Sequence, residues 1–192
     1  VKDAEGIKNV AHVVNTAGKE NVLMVISAMG KTTNALEEVI KNYFNKSAEL
    51  QASIQEVKKY HNQILMELFE DESNDAFFAV NSLFADLEYF IRSNKSPNYN
   101  FVYDQIVSFG ELISTTIVSH YFNENGIKNN WLDVRNFIKT DTTYRDAIVD
   151  WDVTQNLILK GVDKKGVAIT QGFLGSDSNS FTTTLGREGS DY

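Results

Sequence analysis

The chain has 192 residues, 42% of them hydrophobic, and its 18 basic and 26 acidic side chains give a formal net charge of −8. This acidic balance argues against a protein that binds nucleic acid through bulk positive charge, and the absence of cysteine excludes disulfides and thiolate chemistry. No apolar run approaches the roughly 18–20 residues that span a bilayer and no secretory signal opens the chain, so we expect a cytoplasmic protein without a membrane or nucleic-acid partner.

A short helix and a buried strand are predicted first. Apolar residues recur at helical spacing between residues 3 and 17, and Gly18 can end the helix. Residues 22–26 are consecutive apolar residues, a pattern typical of a strand that is buried on both faces in a parallel sheet. Residues 27–30 would then follow the carboxyl end of this strand.

Three amphipathic helices are predicted between residues 36 and 91, with no strand among them. A fourth helix is predicted from about Val102 to Phe122, after a turn at Pro97, the only proline. We interpret residues of about 35–100 as an all-helical insertion. The apolar stripes that predict the first three helices are Leu36, Val39, Ile40, Tyr43 and Phe44, then Leu50, Ile54, Val57, Ile64, Leu65 and Leu68, and then Val80, Leu83, Phe84, Leu87, Phe90 and Ile91.

The last third of the chain predicts strands that alternate with a helix. Residues 131–134 predict a short strand, residues 153–159 a helix, and residues 167–174 a second buried strand. Residues 181–185 are β-prone and would pair as a hairpin after the turn at residues 177–179. Strands that alternate with helices indicate an α/β sandwich.

The terminal segment has the composition of a binding loop. Residues 182–192 combine three threonines, two glycines, two carboxylates and Arg187. Glycines let the backbone approach a ligand closely, and an arginine holds a carboxylate or phosphate in a fixed fork. The segment therefore predicts a loop that binds an anionic substrate. The alternative is a tight surface turn with solvated charges.

Two further segments favour a ligand site. The hydroxyls and N–H groups of residues 27–34 could hold a carboxylate or phosphate at a helix N-terminus, or the segment could be a simple helix cap. A P-loop is excluded, because that motif needs a glycine where Val25 stands. Gly110 lies in a predicted helix, where glycine costs about 1 kcal/mol relative to alanine, so it indicates the close approach of another group. Glu111 could then receive a substrate ammonium group, or it could be a solvated glutamate.

We expect the α/β fold, and not a bound metal, to bring these segments together. Ligands in open α/β sheets bind beyond the carboxyl ends of the strands, which would bring residues 27–33, residues 172–173 and the terminal segment together. His61 lies on the apolar stripe of its helix, where packing is expected rather than catalysis. The spacing of the three histidines offers no metal cluster, so no metal ligands are predicted.

Taken together, these segments resemble the catalytic domain of the aspartate kinases, which are members of the amino acid kinase family. The resemblance covers essentially the whole chain, and the order, the spacing and the helical insertion all fit it. It implies a three-layer αβα sandwich of the amino acid kinase (carbamate kinase-like) type. The residues that carry it are Val25-Ile26-Ser27-Ala28-Met29-Gly30-Lys31-Thr32-Thr33-Asn34, Ser108-Phe109-Gly110-Glu111, Gly172-Phe173, and Thr182-Thr183-Thr184-Leu185-Gly186-Arg187-Glu188-Gly189-Ser190-Asp191-Tyr192.

The resemblance also implies that residues 1–192 are an incomplete amino acid kinase domain. Val1 matches the valine that closes the family's Lys-Phe-Gly-Gly motif, so the phosphate-binding lysine is expected to be missing, and so are the ATP-binding half and the regulatory ACT domains. We therefore assign no ATP-binding residues and expect this chain alone to be inactive. The resemblance leaves open whether the parent protein also carries a homoserine dehydrogenase.

The activity that the resemblance implies is ATP-dependent phosphorylation of the β-carboxylate of L-aspartate to 4-phospho-L-aspartate, the first step of lysine, threonine and methionine biosynthesis. ATP and Mg²⁺ would be the cofactors, control would be allosteric, and the full-length protein would be a homo-oligomer, a dimer or higher. The alternatives are a related amino acid kinase that acts on another acid such as glutamate, and a non-catalytic ligand-binding module.

The resemblance assigns roles to individual residues. Thr33 and Glu111 would bind aspartate, with Glu111 facing its ammonium group, and Arg187 would clamp a substrate carboxylate. Ser27 would line the phosphoryl-transfer site, and Asp191 would help to position the lysine or the metal there. The remaining substrate-binding positions would be Phe173, Gly189 and Ser190.

Overall fold

A parallel sheet, an antiparallel hairpin, seven α-helices and one short 3₁₀ helix (Val134–Asn136) make up the computed structural model, which describes residues 1–163 and 165–186. The helices are α1 (Ala4–Ala17), α2 (Thr32–Phe44), α3 (Leu50–Leu68), α4 (Asp75–Ser93), α5 (Tyr99–Val107), α6 (Phe109–Glu124) and α7 (Trp151–Gly161). The strands are β1 (Val22–Ile26), β2 (Asn129–Leu132), β3 (Val167–Gln171), β4 (Leu174–Ser176) and β5 (Thr182–Thr184). No helix among these residues is both long and apolar enough to cross a membrane.

The three strands of the parallel sheet have their carboxyl ends at one edge. They lie in the order β1, β3, β2, and Val22 of β1 is level with Val167 of β3. The strand predicted at residues 167–174 is divided, because β3 ends at Gln171 and the chain turns at Phe173, whose φ of 65° is left-handed. β4 then pairs antiparallel with β5, which confirms the predicted hairpin.

The two faces of this sheet are not covered equally. Ile26 and Ile169 are buried on the face across which α6 packs. On the opposite face, Leu23 and Val25 keep 57% and 49% of their surface exposed, beside a cavity of about 280 Å³ bordered by α7. The prediction that residues 22–26 are buried on both faces is therefore wrong for this chain. Successive side chains of a strand point to opposite faces, so an apolar run alone does not show which face other elements cover.

Helix α6 is the centre of the helical layer. It is buried on all sides rather than along one stripe, and α1, α2, α4 and α5 pack around it. The three helices predicted within residues 36–91 are α2, α3 and α4, and the helix predicted at residues 153–159 lies within α7. The strand predicted at residues 131–134 is β2, which starts and ends slightly earlier. The structure therefore confirms that these predicted segments are helices and a strand, as expected.

The single helix predicted from Val102 to Phe122 is wrong in one respect. It is two helices, α5 and α6, which meet at Ser108. The Ser108 hydroxyl donates to the carbonyl of Gln105 over 2.9 Å, a local bond of the kind that competes with regular helix. The break sets the direction of α6 and therefore the place at which its first turn meets the sheet.

Candidate functional site

The amino end of α6 lies against the carboxyl end of β1, and Gly110 makes this contact possible. A Cβ built on Gly110 would lie 2.9 Å from the Cβ of Ala28 and 3.4 Å from the methyl group of Thr32. The close approach that the sequence predicted for this glycine is therefore present. It brings the next residue, Glu111, to the backbone of Ala28, whose N–H donates to Oε1 over 3.3 Å.

Glu111 is a buried carboxyl group with one unpaired oxygen. The residue is 3% exposed, and its Oε2 has no hydrogen-bond partner among the described residues. Burial raises the pKa of Glu111 to about 7, although the Ala28 N–H favours the ionised form. Leaving a buried polar atom without a partner costs about 1–3 kcal/mol. The oxygen therefore indicates a site for a donor from outside the described residues, and the alternative of a solvated glutamate is wrong.

The turn between β1 and α2 presents the start of a helix that no side chain caps. Lys31 occupies the N-cap position and makes no side-chain capping bond. The Thr32 hydroxyl donates instead to the carbonyl of Met29 over 2.6 Å, so the alternative of a simple side-chain cap is wrong here. Thr33 is partly exposed in this first turn of α2. Such a helix start attracts anionic groups, because its first N–H groups point outwards.

The segment after β3 joins this turn. The Gly172 N–H donates to the carbonyl of Ile26 over 3.4 Å, and the carbonyl of Phe173 accepts from the N–H of Leu185 over 2.9 Å. These bonds place the chain up to Gly186 beside the end of β1, so the expected juxtaposition holds for the described part of the terminal segment. Four candidate residues lie outside the described residues: Arg187, Gly189, Ser190 and Asp191.

Polar side chains of α6 tie that helix to the carboxyl ends of the three parallel strands. The Ser114 hydroxyl donates over 2.8 Å to the carbonyl of Ser27, an exposed residue directly after β1. Thr115 Oγ1 accepts from Trp131 Nε1 of β2 over 3.0 Å and from Gln171 Nε2 of β3 over 2.8 Å. No sequence pattern predicts this network, because its members lie far apart along the chain.

Asp104 is the residue that sequence reasoning missed. It is fully buried, and it accepts hydrogen bonds from the Arg145 N–H (3.0 Å to Oδ2), the Thr184 N–H (2.9 Å) and the Thr184 hydroxyl (2.8 Å). Burial raises its pKa to about 6, and these hydrogen bonds oppose that rise. Asp104 thus anchors β5, the first part of the terminal segment. A carboxylate among the apolar residues of a predicted helix is the one signal that could have drawn attention to it.

The histidine predicted to be packed is buried in the helical layer. His61 of α3 is 0% exposed. Within residues 1–163 and 165–186, no three histidine or acidic side chains are grouped so that they could hold a metal ion.

Comparison with known proteins identifies the family of the chain. The sequence model of the amino acid kinase family matches residues 1–192. Aspartokinase 1, chloroplastic, of Arabidopsis thaliana is 31% identical over 203 residues, which cover 100% of this chain and 35% of that protein. The bifunctional aspartokinase/homoserine dehydrogenase 2 of Escherichia coli (strain K12) is 25% identical over 193 residues, which cover 99% of this chain and 23% of that protein. The chain therefore spans well under half the length of these relatives.

Solved structures confirm the predicted fold class. Escherichia coli aspartokinase III in complex with lysine and aspartate (T-state) matches with a TM-score of 0.87 at 26% identity, covering 99% of this chain and 42% of that chain. The same enzyme in complex with aspartate and ADP (R-state) matches with a TM-score of 0.85 at 26% identity, with the same coverage. The architecture is the α/β fold of these kinases, and the chain belongs to the amino acid kinase family.

Proposed function

We propose that the protein that carries this chain is an aspartate kinase, which transfers the γ-phosphoryl group of ATP to the β-carboxylate of L-aspartate. The observation that carries the proposal is the unpaired Oε2 of Glu111, buried beside the backbone of Ala28. The ammonium group of an amino acid would supply the cationic donor that this oxygen lacks. The similarity to an aspartokinase solved with aspartate and ADP supports the same substrate and nucleotide.

The substrate would lie between Glu111 and the first turn of α2. Its ammonium group faces Glu111, and Thr33 holds a carboxylate at the helix N-terminus. Arg187 clamps a substrate carboxylate in its fixed fork, and Ser27 lines the side on which the phosphoryl group arrives. We assign the remaining motif positions to the same site: Phe173, Gly189, Ser190 and Asp191.

The transfer needs orientation more than it needs a base. The β-carboxylate has an ordinary pKa of about 3.9 and is ionised at neutral pH. One of its oxygens forms the bond to the γ-phosphorus while the bond from that phosphorus to the bridging oxygen of ATP breaks. ADP leaves with the electron pair, and no proton has to move. Mg²⁺ would accompany the nucleotide and neutralise phosphate charge, while this chain holds the ammonium and carboxylate groups in line.

We also propose the setting of this reaction from the aspartokinase relatives. It would be the entry to lysine, threonine and methionine biosynthesis, in a cytoplasmic homo-oligomer under allosteric control. The support for end-product control is that aspartokinase III was solved with lysine as well as aspartate.

A hydroxamate assay of acyl phosphate on the full-length protein that carries this sequence tests the proposal. L-Aspartate with Mg-ATP should give product, and Glu111→Gln should lower kcat/KM for aspartate by about 100-fold, because the ammonium group loses its charged partner. The matched control is Glu38→Gln, an exposed glutamate of α2, which should leave the rate within about twofold.

Two outcomes would change the assignment. Product from L-glutamate but not from L-aspartate would make the protein a related amino acid kinase with another substrate. Absence of product from both acids would contradict the proposed activity.

A further inference from the structure

Helix α3 backs the turn between β1 and α2, which we call the substrate turn (residues 27–33). Tyr60 of α3 lies against Gly30: a Cβ built on Gly30 would lie 2.5 Å from the Tyr60 hydroxyl, and Gly30 has a φ of +54°. The same hydroxyl donates to the carbonyl of Lys2 over 2.6 Å. The turn therefore has a neighbour on α3 that a larger residue at position 30 would displace.

His61, the next residue of α3, makes the polar contact with the substrate turn. Its Nδ1 lies 2.8 Å from the carbonyl of Val57, and its Nε2 lies 3.3 Å from Oγ1 of Thr32. A carbonyl only accepts, so Nδ1 carries the proton, and in the neutral ring Nε2 is an acceptor that faces the Thr32 hydroxyl. Burial lowers the pKa of His61, which favours this neutral form.

The Thr32 hydroxyl links His61 to the residues that would bind the substrate. It is buried, and its single proton has two acceptors within reach, the Met29 carbonyl at 2.6 Å and Nε2 of His61 at 3.3 Å, so the bond to the carbonyl is the stronger one and the imidazole is the second acceptor. Thr33 follows it directly, and the Ala28 N–H at the other end of the turn contacts Glu111. A shift of Thr32 would therefore change the orientation of Thr33 and the support of Glu111 together.

We propose that His61 is a positioning residue for aspartate, which acts through the Thr32 hydroxyl to fix the substrate turn. It does not touch the substrate. Because His61 lies on α3, the helical region takes part in substrate binding as well as in core packing. The kinetic part of this inference rests on the proposed function, whereas the fixing of the turn does not.

Two substitutions distinguish the two ring nitrogens in the full-length protein. A glutamine side chain extends its terminal amide to about the place of Nε2, whereas an asparagine side chain reaches only the place of Nδ1. We expect His61→Asn to raise KM for aspartate about three- to tenfold, the effect of one lost hydrogen bond, with kcat and KM for ATP within about twofold. His61→Gln should keep KM for aspartate close to the wild-type value.

Thr32 supplies an independent pair of variants. Thr32→Val removes the hydroxyl, and Thr32→Ser keeps it, so KM for aspartate should rise in the first and stay near wild type in the second. His61→Asn should have no further effect in a Thr32→Val background, because Thr32→Val already removes the contact with His61 together with the bond to the Met29 carbonyl. Additive effects would mean that His61 does not act through Thr32.

Hydrogen exchange gives a readout that does not need activity. The peptide that covers residues 27–34 should exchange faster in His61→Asn than in the wild type or in His61→Gln. The matched control is Phe84→Leu, which alters a ring that packs 5.9 Å from His61 without a polar contact to the turn. It should lower Tm and leave KM for aspartate unchanged.

The outcomes separate this inference from the proposed function. Unchanged exchange in His61→Asn, or a KM that rises equally in Phe84→Leu, would overturn the positioning role. If His61→Asn exchanges faster but the full-length protein makes no acyl phosphate, the result would support the role of His61 in fixing the turn. It would contradict only the proposed activity.

Discussion

Asp104 on α5 and Glu111 on α6 are two buried carboxyl groups whose surroundings differ. Asp104 accepts hydrogen bonds from the backbone of Arg145 and from the backbone and hydroxyl of Thr184. Glu111 accepts the Ala28 N–H at Oε1, while its Oε2 has no partner among the described residues. Burial is the largest cause of the raised pKa in both, about 6 for Asp104 and about 7 for Glu111.

The difference shows that a buried carboxyl group can either stabilise the fold or be available to a ligand. A buried carboxylate whose oxygens are all paired stabilises the segments that donate to it. A buried carboxylate that keeps an unpaired oxygen lowers the stability of the ligand-free protein. This cost is removed when a cationic donor binds to that oxygen. Asp104 accordingly fixes β5, the first part of the terminal segment, and Glu111 is the group that we propose to meet a ligand.

Substitution of Asp104 is expected to change the stability of the protein most. Asp104→Ala leaves the buried donors of Arg145 and Thr184 without an acceptor, and should lower the free energy of unfolding by about 3–5 kcal/mol. Urea denaturation at pH 7 measures it. Asp104→Asn retains one acceptor oxygen and should lose less. A loss below about 1 kcal/mol in the alanine variant would mean that the network does not stabilise the fold.

Glu111→Gln is expected to raise the free energy of unfolding, whereas Asp104→Ala lowers it. A raised folded-state pKa means that the stability contributed by protonated Glu111 is complete below its ordinary value of 4.5 and is lost as the pH rises through about 7. Glutamine does not ionise, so at pH 8 the variant should be more stable than the wild type by about 3 kcal/mol, with little difference at pH 4.

Urea denaturation of both proteins at pH 4 and pH 8 checks this sign. Other titrating groups are common to the two proteins, so only the difference between them is interpreted. A variant that is less stable than the wild type at pH 8 would mean that Glu111 is structural, like Asp104.

A smaller effect on stability is expected for Gly110→Ala. This substitution disturbs the packing beside Glu111 and leaves the hydrogen bonds of Asp104 in place. Gly110→Ala puts a methyl group 2.9 Å from the Cβ of Ala28, which must push α6 away from the end of β1. Overpacking of this kind costs about 1–3 kcal/mol, partly offset by about 1 kcal/mol of helix propensity. Thermal unfolding should show a modest loss of Tm, and kcat/KM for aspartate should fall. A fully active variant would show that the spacing of α6 and β1 is not critical.

The affinity for aspartate should depend on pH through the ionisation of Glu111. Glu111 must be ionised to pair with an ammonium group, and its pKa in the free protein is about 7. The affinity of the full-length protein for aspartate should therefore fall about tenfold from pH 8 to pH 6, as measured by calorimetry. Glu111→Gln should bind weakly with no such dependence. Affinity that stays constant across this range would contradict the assignment of Glu111 to the ammonium group.

Two features of the geometry around the candidate site could be predicted, one from a local signal and one from the fold class. The energetic cost of a glycine in a helix pointed to a close contact at Gly110, and the structure supplies that contact in Ala28. The carboxyl-end rule for α/β sheets brought residues 27–33 and Phe173 together from distant parts of the chain. Neither signal could show that one oxygen of Glu111 is unpaired, because this depends on every neighbour of the carboxyl group.

Local patterns and motifs were enough to assign the type of most elements and the family. Apolar periodicity is a property of neighbouring residues, so it sufficed for α2, α3, α4 and α7. Tertiary structure alone decided that Leu23 and Val25 are exposed, that Asp104 is an anchor and that His61 meets Thr32. Each of these features depends on contacts between residues that are remote in sequence. Periodicity describes only neighbouring residues, so it does not show which distant element covers a side chain or donates a hydrogen bond to it.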